Sequence, residues 1–131
     1  MSGNGFNTID IAISGMRAHG KQMELISSNV ANARTIDDGK GEPYRRVEAL
    51  FKSAENGGVE VEDTVTDMAE FSRIHSPGNP AADAQGFVAM PNVNLPVELM
   101  NLNIATRTYQ ANVAVLKRYQ RMVETSLELL R

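Results

Sequence analysis

Cysteine and tryptophan are absent from the 131 residues, and aromatics supply only 5% of them. Without cysteine there can be no disulfide, no thiolate nucleophile, no iron–sulfur cluster and no Cys-ligated zinc. With so few aromatics, a core must be built from aliphatic side chains and the seven Met, whose flexible thioethers fill irregular gaps between helices. A surplus of positive charge is also lacking. The formal net charge is -3, and Arg45-Arg46 and Lys117-Arg118 are pairs rather than patches, which leaves no footprint for nucleic acid. No stretch approaches the ~20 apolar residues of a membrane span. Met1 to Asp10 holds no Lys or Arg and no apolar run, so we expect no cleaved signal peptide.

Catalytic and metal-binding patterns are missing as well. His19 and His75 stand far apart, with no HExxH or other close ligand set. His19 reads as a polar register position on a helix seam, and His75 as a solvated loop residue. The acidic groups Asp37-Asp38 and Glu60, Glu62, Asp63 sit beside turns or on a polar strand face, where solvation explains them better than acid/base catalysis. Asp37-Asp38-Gly39 lacks the later oxygen ligands of a calcium loop. Gly39-Lys40-Gly41 reads as a turn, and Ser14 lies outside any GxSxG elbow. We therefore expect no enzyme, no cofactor, no metal and no small-molecule substrate.

Glycine and proline are unevenly distributed, and this divides the chain. All five Pro and six of the ten Gly fall between Thr35 and Pro96; after Pro96 neither occurs. Because Pro breaks helices and Gly weakens them, residues 1–35 and 96–131 are free to be helical, and 36–95 largely are not. The expected class is mainly α with a small β part: long terminal helices packed as a coiled-coil-like pair around a short β-hairpin and loop unit.

The terminal zones carry a seven-residue rhythm. From about Phe6 to Ala33, Ile9, Met16, Met23 and Val30 recur every seven, with Ala12, His19, Ile26 and Ala33 between; Asn7 or Thr8 is the expected N-cap. From Leu99 to Arg131, Leu102, Tyr109, Leu116, Val123 and Leu130 recur every seven, with Ala105, Asn112, Tyr119 and Ser126 between. A second line, Val115, Met122 and Leu129, flanks the first, with Val113 and Leu127 on the other side. At ~1.5 Å per residue the C-terminal helix would be ~50 Å long. An apolar arc that broad exceeds what one partner helix covers, so the surplus should meet other subunits. In the middle, Arg46–Phe51 and Val59–Val65 read as a hairpin closed by the Ser53–Gly58 turn, Val59 and Val61 alternating with Glu60 and Glu62. Phe87–Met90 adds a short extended segment. Asn29 and Asn32, three apart near the end of the first helix, are expected to cap it and to hold the turn into the middle unit.

Ser28-Asn29-Val30-Ala31-Asn32-Ala33, following Ala12-Ile13-Ser14-Gly15-Met16, resembles the N-terminal signature of the bacterial flagellar rod and hook family. Val97-Glu98-Leu99-Met100 and Tyr109-Gln110-Ala111-Asn112 are similar to the closing helix of that family. Gly41-Glu42-Pro43-Tyr44-Arg45-Arg46 and Gly86-Phe87-Val88-Ala89-Met90-Pro91-Asn92-Val93-Asn94 narrow the resemblance to its proximal rod members. The motif residues are Asn29, Ala31, Asn32, Pro91, Asn92, Asn94, Tyr109 and Asn112.

This resemblance implies a structural subunit of the basal-body rod, exported unfolded by the flagellar type III apparatus without a cleaved signal peptide. It implies assembly in the periplasmic space, through the terminal helices, with neighbouring copies, other proximal rod proteins, a FliE-type base component and the distal rod protein. The rod would carry torque from motor to hook. The competing expectation is a cytoplasmic coiled-coil adaptor or export chaperone of a type III secretion system.

Overall fold

The computed structural model describes residues 4–131. Met1, Ser2 and Gly3, which the division by sequence assigns to the N-terminal zone, lie outside the described residues. Helix α1 spans Asn4–Ala31 and α2 spans Leu95–Leu129. Between them, β1 (Val47–Ser53) pairs with β2 (Val59–Thr66), and β3 (Ser72–His75) with β4 (Phe87–Met90), as two separate antiparallel hairpins. The molecule is mainly helical with a small β part, and the two terminal helices pack on each other.

The helix boundaries have local causes. α1 starts at Asn4, ahead of the Asn7 and Thr8 positions read as caps. α2 starts four residues before Leu99 because Asn94 caps it, its Oδ1 accepting from the Val97 N–H at 3.4 Å. Pro96 then falls in the first turn, where a missing N–H costs nothing. At ~1.5 Å per residue, the 28 residues of α1 and 35 of α2 make rods of about 42 and 52 Å.

The helices run antiparallel. Asn29 bonds Glu98, and the Gly15 backbone lies against Asn112. Both crossings fit one register, and continuing it brings Asn4 level with Val123, so α2 overshoots the start of α1. Among the described residues Ala12, Ala18, Ile26 and Ala105 are the buried apolar contributions of the helices, three of them Ala, whose small side chains permit close packing. Gly15 is the tightest point. A Cβ there would stand 2.6 Å from Asn112 Nδ2, whose side chain also donates to the Thr108 carbonyl. We predict that Gly15→Val destabilises the subunit by about 2 kcal/mol, overpacking outweighing the gain in helix propensity. Adding Asn112→Ala should recover most of it, measured by urea unfolding; an unchanged midpoint for the single variant would contradict the close crossing.

The β1–β2 hairpin lies along α1, and neither of its strands approaches α2. At one end Asn29 bonds Val47; at the other, the Ser14 hydroxyl accepts from the Val59 N–H at 3.1 Å and donates to the Ile11 carbonyl. Between them, His19 tilts against the Phe51 ring at 5.4 Å and takes a 2.9 Å hydrogen bond with Gln22. The helical rise from Ser14 to Asn29, about 22 Å, matches the extended length of β1, about 20 Å. α1 is thus flanked by α2 and by the hairpin. The alternation read into β2 does not run through it: a bulge pairs Leu50 with Asp63 and Phe51 with Val61, leaving Glu62 extra. That shift turns Val65 onto the outer face, opposite Glu48.

The second hairpin is an element that the sequence reading half missed, since β3 pairs with the extended segment Phe87–Met90. His75 therefore lies in a strand, still exposed, with its ring 5.0 Å from that of Phe87. Asp83 organises the connecting loop. The Phe87 N–H, then those of Gln85 and the Arg73 guanidinium, hold its carboxyl below the usual range against some desolvation.

Candidate assembly interface

Two regions of the molecule stand out: a buried polar junction where the three zones meet, and a long helix face that nothing covers. At the junction, Asn29 and Glu98 have 0% and 1% exposure and are the largest fully buried side chains. The Asn29 amide uses all its hydrogen-bonding capacity. Nδ2 donates to the Val47 carbonyl at 2.8 Å and to Glu98 Oε2 at 3.2 Å. Oδ1 accepts from the Val47 N–H at 2.9 Å and from the Tyr44 hydroxyl at 2.9 Å. It behaves as a short strand edge for Val47, stitching the end of α1 to the start of β1.

Glu98, in the first turn of α2, closes the same junction from the other side. Its Oε1 pairs with Arg46 Nε, while Arg46 Nη1 reaches Glu48 at 2.9 Å and Asp67 at 3.7 Å. Burial alone would lower the Arg46 pKa, but the hydrogen bonds and charges of Glu98 and Glu48 outweigh it and the net direction is upward. The guanidinium stays charged. The Arg46 N–H donates to Asn92 Oδ1 at 2.8 Å, and Asn92 Nδ2 spans the Asp67 and Ala69 carbonyls at 2.9 and 3.2 Å. Three backbone segments are tied by one amide. Asn32 does act at the helix end, donating to the Ser28 carbonyl at 2.9 Å and accepting from Thr35 at 3.1 Å. Among the described residues every fully buried side-chain nitrogen and oxygen has a partner. A network so completed specifies one arrangement of α1, β1 and α2.

Of the seam residues, Ala12 and Ile26 are buried, and Ile9, Met16, Met23, Val30, Leu102, Tyr109, Leu116 and Tyr119 are partly buried. Val123 and Leu130 are 42% and 82% exposed. The heptad line thus continues past the point where α1 can cover it, and every residue from Gln120 to Arg131 is exposed. Of the motif residues, Pro91 is buried beside β4, Ala31 is exposed at the end of α1, and Tyr109 packs 3.8 Å from the Cβ position of Gly20. A second stripe was only partly read from the sequence. Val97, Ile104 and Ala111, then Val115, Met122 and Leu129, recur at sevens and are all exposed. At about 100° per residue they lie on the side of α2 away from the α1 seam. α2 therefore has two apolar faces, one covered over most of its length and one uncovered throughout.

Among the described residues no group of His, Asp and Glu is placed to hold a metal ion, and no helix is long and apolar enough to cross a membrane.

Comparison with known proteins bears on the same element. The model of the flagellar basal body rod FlgEFG protein C-terminal family matches residues 84–129, from the end of the loop before β4 through α2. The flagellar basal-body rod protein FlgC of Escherichia coli O157:H7 is 39% identical over 128 residues, covering 94% of this chain and 96% of its own. That of Salmonella typhimurium is 38% identical over the same shares. FlgC of Agrobacterium fabrum is 38% identical over 127 residues, 92% of this chain and 91% of its own.

Proposed function

Because the chain belongs to the FlgC family of flagellar basal-body rod proteins, we propose that it is a proximal-rod subunit that polymerises through the uncovered faces of α2. Its role is structural, in the rod of the basal body, and the family is not one of enzymes. The observation that carries the finer reading is the overhang of α2. Val123, level with the first residue of α1, and Leu127 and Leu130 past it continue the heptad seam, while Val115, Met122 and Leu129 continue the opposite stripe. Each aliphatic side chain covered by a neighbour contributes about 1.5–3 kcal/mol before ordering costs, and repetition around a tube multiplies it. Helices locked on two sides would also pass torque from one subunit to the next.

The partners in this reading are other copies, the other proximal rod proteins, the FliE-type base component and the distal rod protein. Type III export fits the thin core: Ala12, Ala18, Ile26, Val88 and Ala105 are the buried aliphatic residues among those described. Such a subunit offers little resistance to unfolding for passage through a narrow channel. Cell fractionation tests the reading. We expect the chain in detergent-extracted basal bodies, lost with the rod; recovery only in soluble cytosol would instead support an adaptor or export chaperone.

A further inference from the structure

Charge is segregated between two faces that cannot meet within one subunit. Between Glu98 and Glu124, α2 carries Arg107, Lys117, Arg118 and Arg121 and no carboxylate. These four cations are exposed, and among the described residues none has an ion-pair partner. Lys117, Arg118 and Arg121 rim a shallow depression floored by Ala114 and Val115, beside the uncovered apolar stripe. The outer face of the β1–β2 hairpin has the opposite character. Its pairing places Glu48, Leu50, Lys52, Glu60, Asp63 and Val65 on the side away from α1, with Glu62 exposed at the bulge. Leu50 is 45% exposed, and Lys52 is already paired with Glu60 at 3.1 Å. Glu48 is likewise paired with Arg46, so among the described residues Glu62 and Asp63 are the acids of this face without an ion pair, and each face combines exposed aliphatic surface with unpaired charge of one sign.

The hairpin lies along α1 and neither of its strands approaches α2. The cations at 117–121 lie level with the N-terminal turns of α1, beyond Ser14 where the hairpin tip docks.

We propose that the outer face of the β1–β2 hairpin of one subunit docks on the Lys117–Arg121 face of α2 in a second copy of this chain. The inference rests on the rod reading and gives one of its subunit contacts a polarity. Because the two faces differ, the contact is heterologous: each copy offers a hairpin to one neighbour and a helix to another, which extends an array instead of closing a two-fold dimer. Leu50 would meet the Val115 stripe, and Asp63 and Glu62 would meet Arg118 and Arg121. The charges would set register and select against wrong neighbours, while the aliphatic contact supplies the burial.

A charge swap tests this in cells whose only copy is the variant, reading the yield of rod-bearing basal bodies. Glu62→Lys with Asp63→Lys, and separately Arg118→Glu with Arg121→Glu, should each lower the yield about tenfold or more, since like charges would face each other. All four substitutions together should restore it to within about threefold of wild type. The altered residues are exposed, so circular dichroism of each purified chain should match wild type; a variant that fails this check is replaced by the neutral Gln or Asn version at the same sites, which should show the smaller loss. Wild-type yield from both charge-reversal pairs, or two defective pairs that do not rescue each other, would overturn the proposal, the latter because the faces would then meet different proteins. Absence of the wild-type chain from basal bodies would instead defeat the rod reading itself.

Discussion

Asn29→Asp should destabilise the isolated subunit by about 3 kcal/mol or more, although the side chain keeps its size and shape. The cause is the direction of the hydrogen bonds. Nδ2 faces two acceptors, the Val47 carbonyl and the Glu98 carboxylate, and neither can donate in return. The substitution puts a second carboxylate beside a fully buried one and leaves the Val47 carbonyl without a partner. The fold would relieve the clash by taking up a proton, so the folded-state pKa of the introduced carboxyl must rise above its unfolded value. More protons bound in the folded state mean that the deficit is largest near neutral pH and shrinks as pH falls toward the ordinary carboxyl range. Urea unfolding followed by helical circular dichroism checks both parts. A variant within about 1 kcal/mol of wild type at pH 7 would show that Asn29 is not what joins α1, β1 and α2.

The second large effect is on assembly and spares the fold. Val123→Asp combined with Leu127→Asp changes two side chains that are 42% and 60% exposed in the subunit. Stability of the isolated chain should move by no more than about 0.5 kcal/mol. Incorporation into rods, and with it motility, should be abolished, because two aliphatic contacts per subunit are replaced by buried unpaired charges. Leu116→Asp provides the contrast. Leu116 is partly buried on the face turned to α1, so that change should weaken the monomer as well as the rod. Motility that survives the Val123 and Leu127 pair would mean that the overhang is not an interface.

Much of this was legible in the residues, for identifiable reasons. The terminal helices were readable because periodicity and the absence of Pro and Gly are local properties, and Pro96 marked the start of α2 because proline is tolerated only in a first turn. The β1–β2 hairpin was readable from its Asn-Gly-Gly turn, in which Gly57 has a φ of 85°. The bulge at Glu62 was not, since register depends on how the strand meets α1. β3 has no alternation: all four of its residues are exposed, so nothing in Ser72–His75 marks a buried face. The junction was half legible. Asn29 stood out beside Asn32, yet capping explained both, and only Asn32 bonds a carbonyl of its own helix. Glu98 figured only in the Val97-Glu98-Leu99-Met100 motif, ahead of the helix start expected at Leu99. That it is buried and paired with Arg46 follows from three segments meeting, which no local pattern encodes.

In the proposed reading, division of α2 into a covered and an uncovered part links this fold to its role. Amide hydrogen exchange, compared between the dilute chain and assembled rods, tests that link most directly. In the dilute chain, amides from Ala12 to Ile26 and from Leu102 to Asn112 should be protected, while those from Glu124 to Leu129, past the start of α1, exchange rapidly. In rods the same C-terminal amides should become as protected as the rest. Equal protection along the whole of α2 in the dilute chain, or continued rapid exchange of its last turns within rods, would contradict the account.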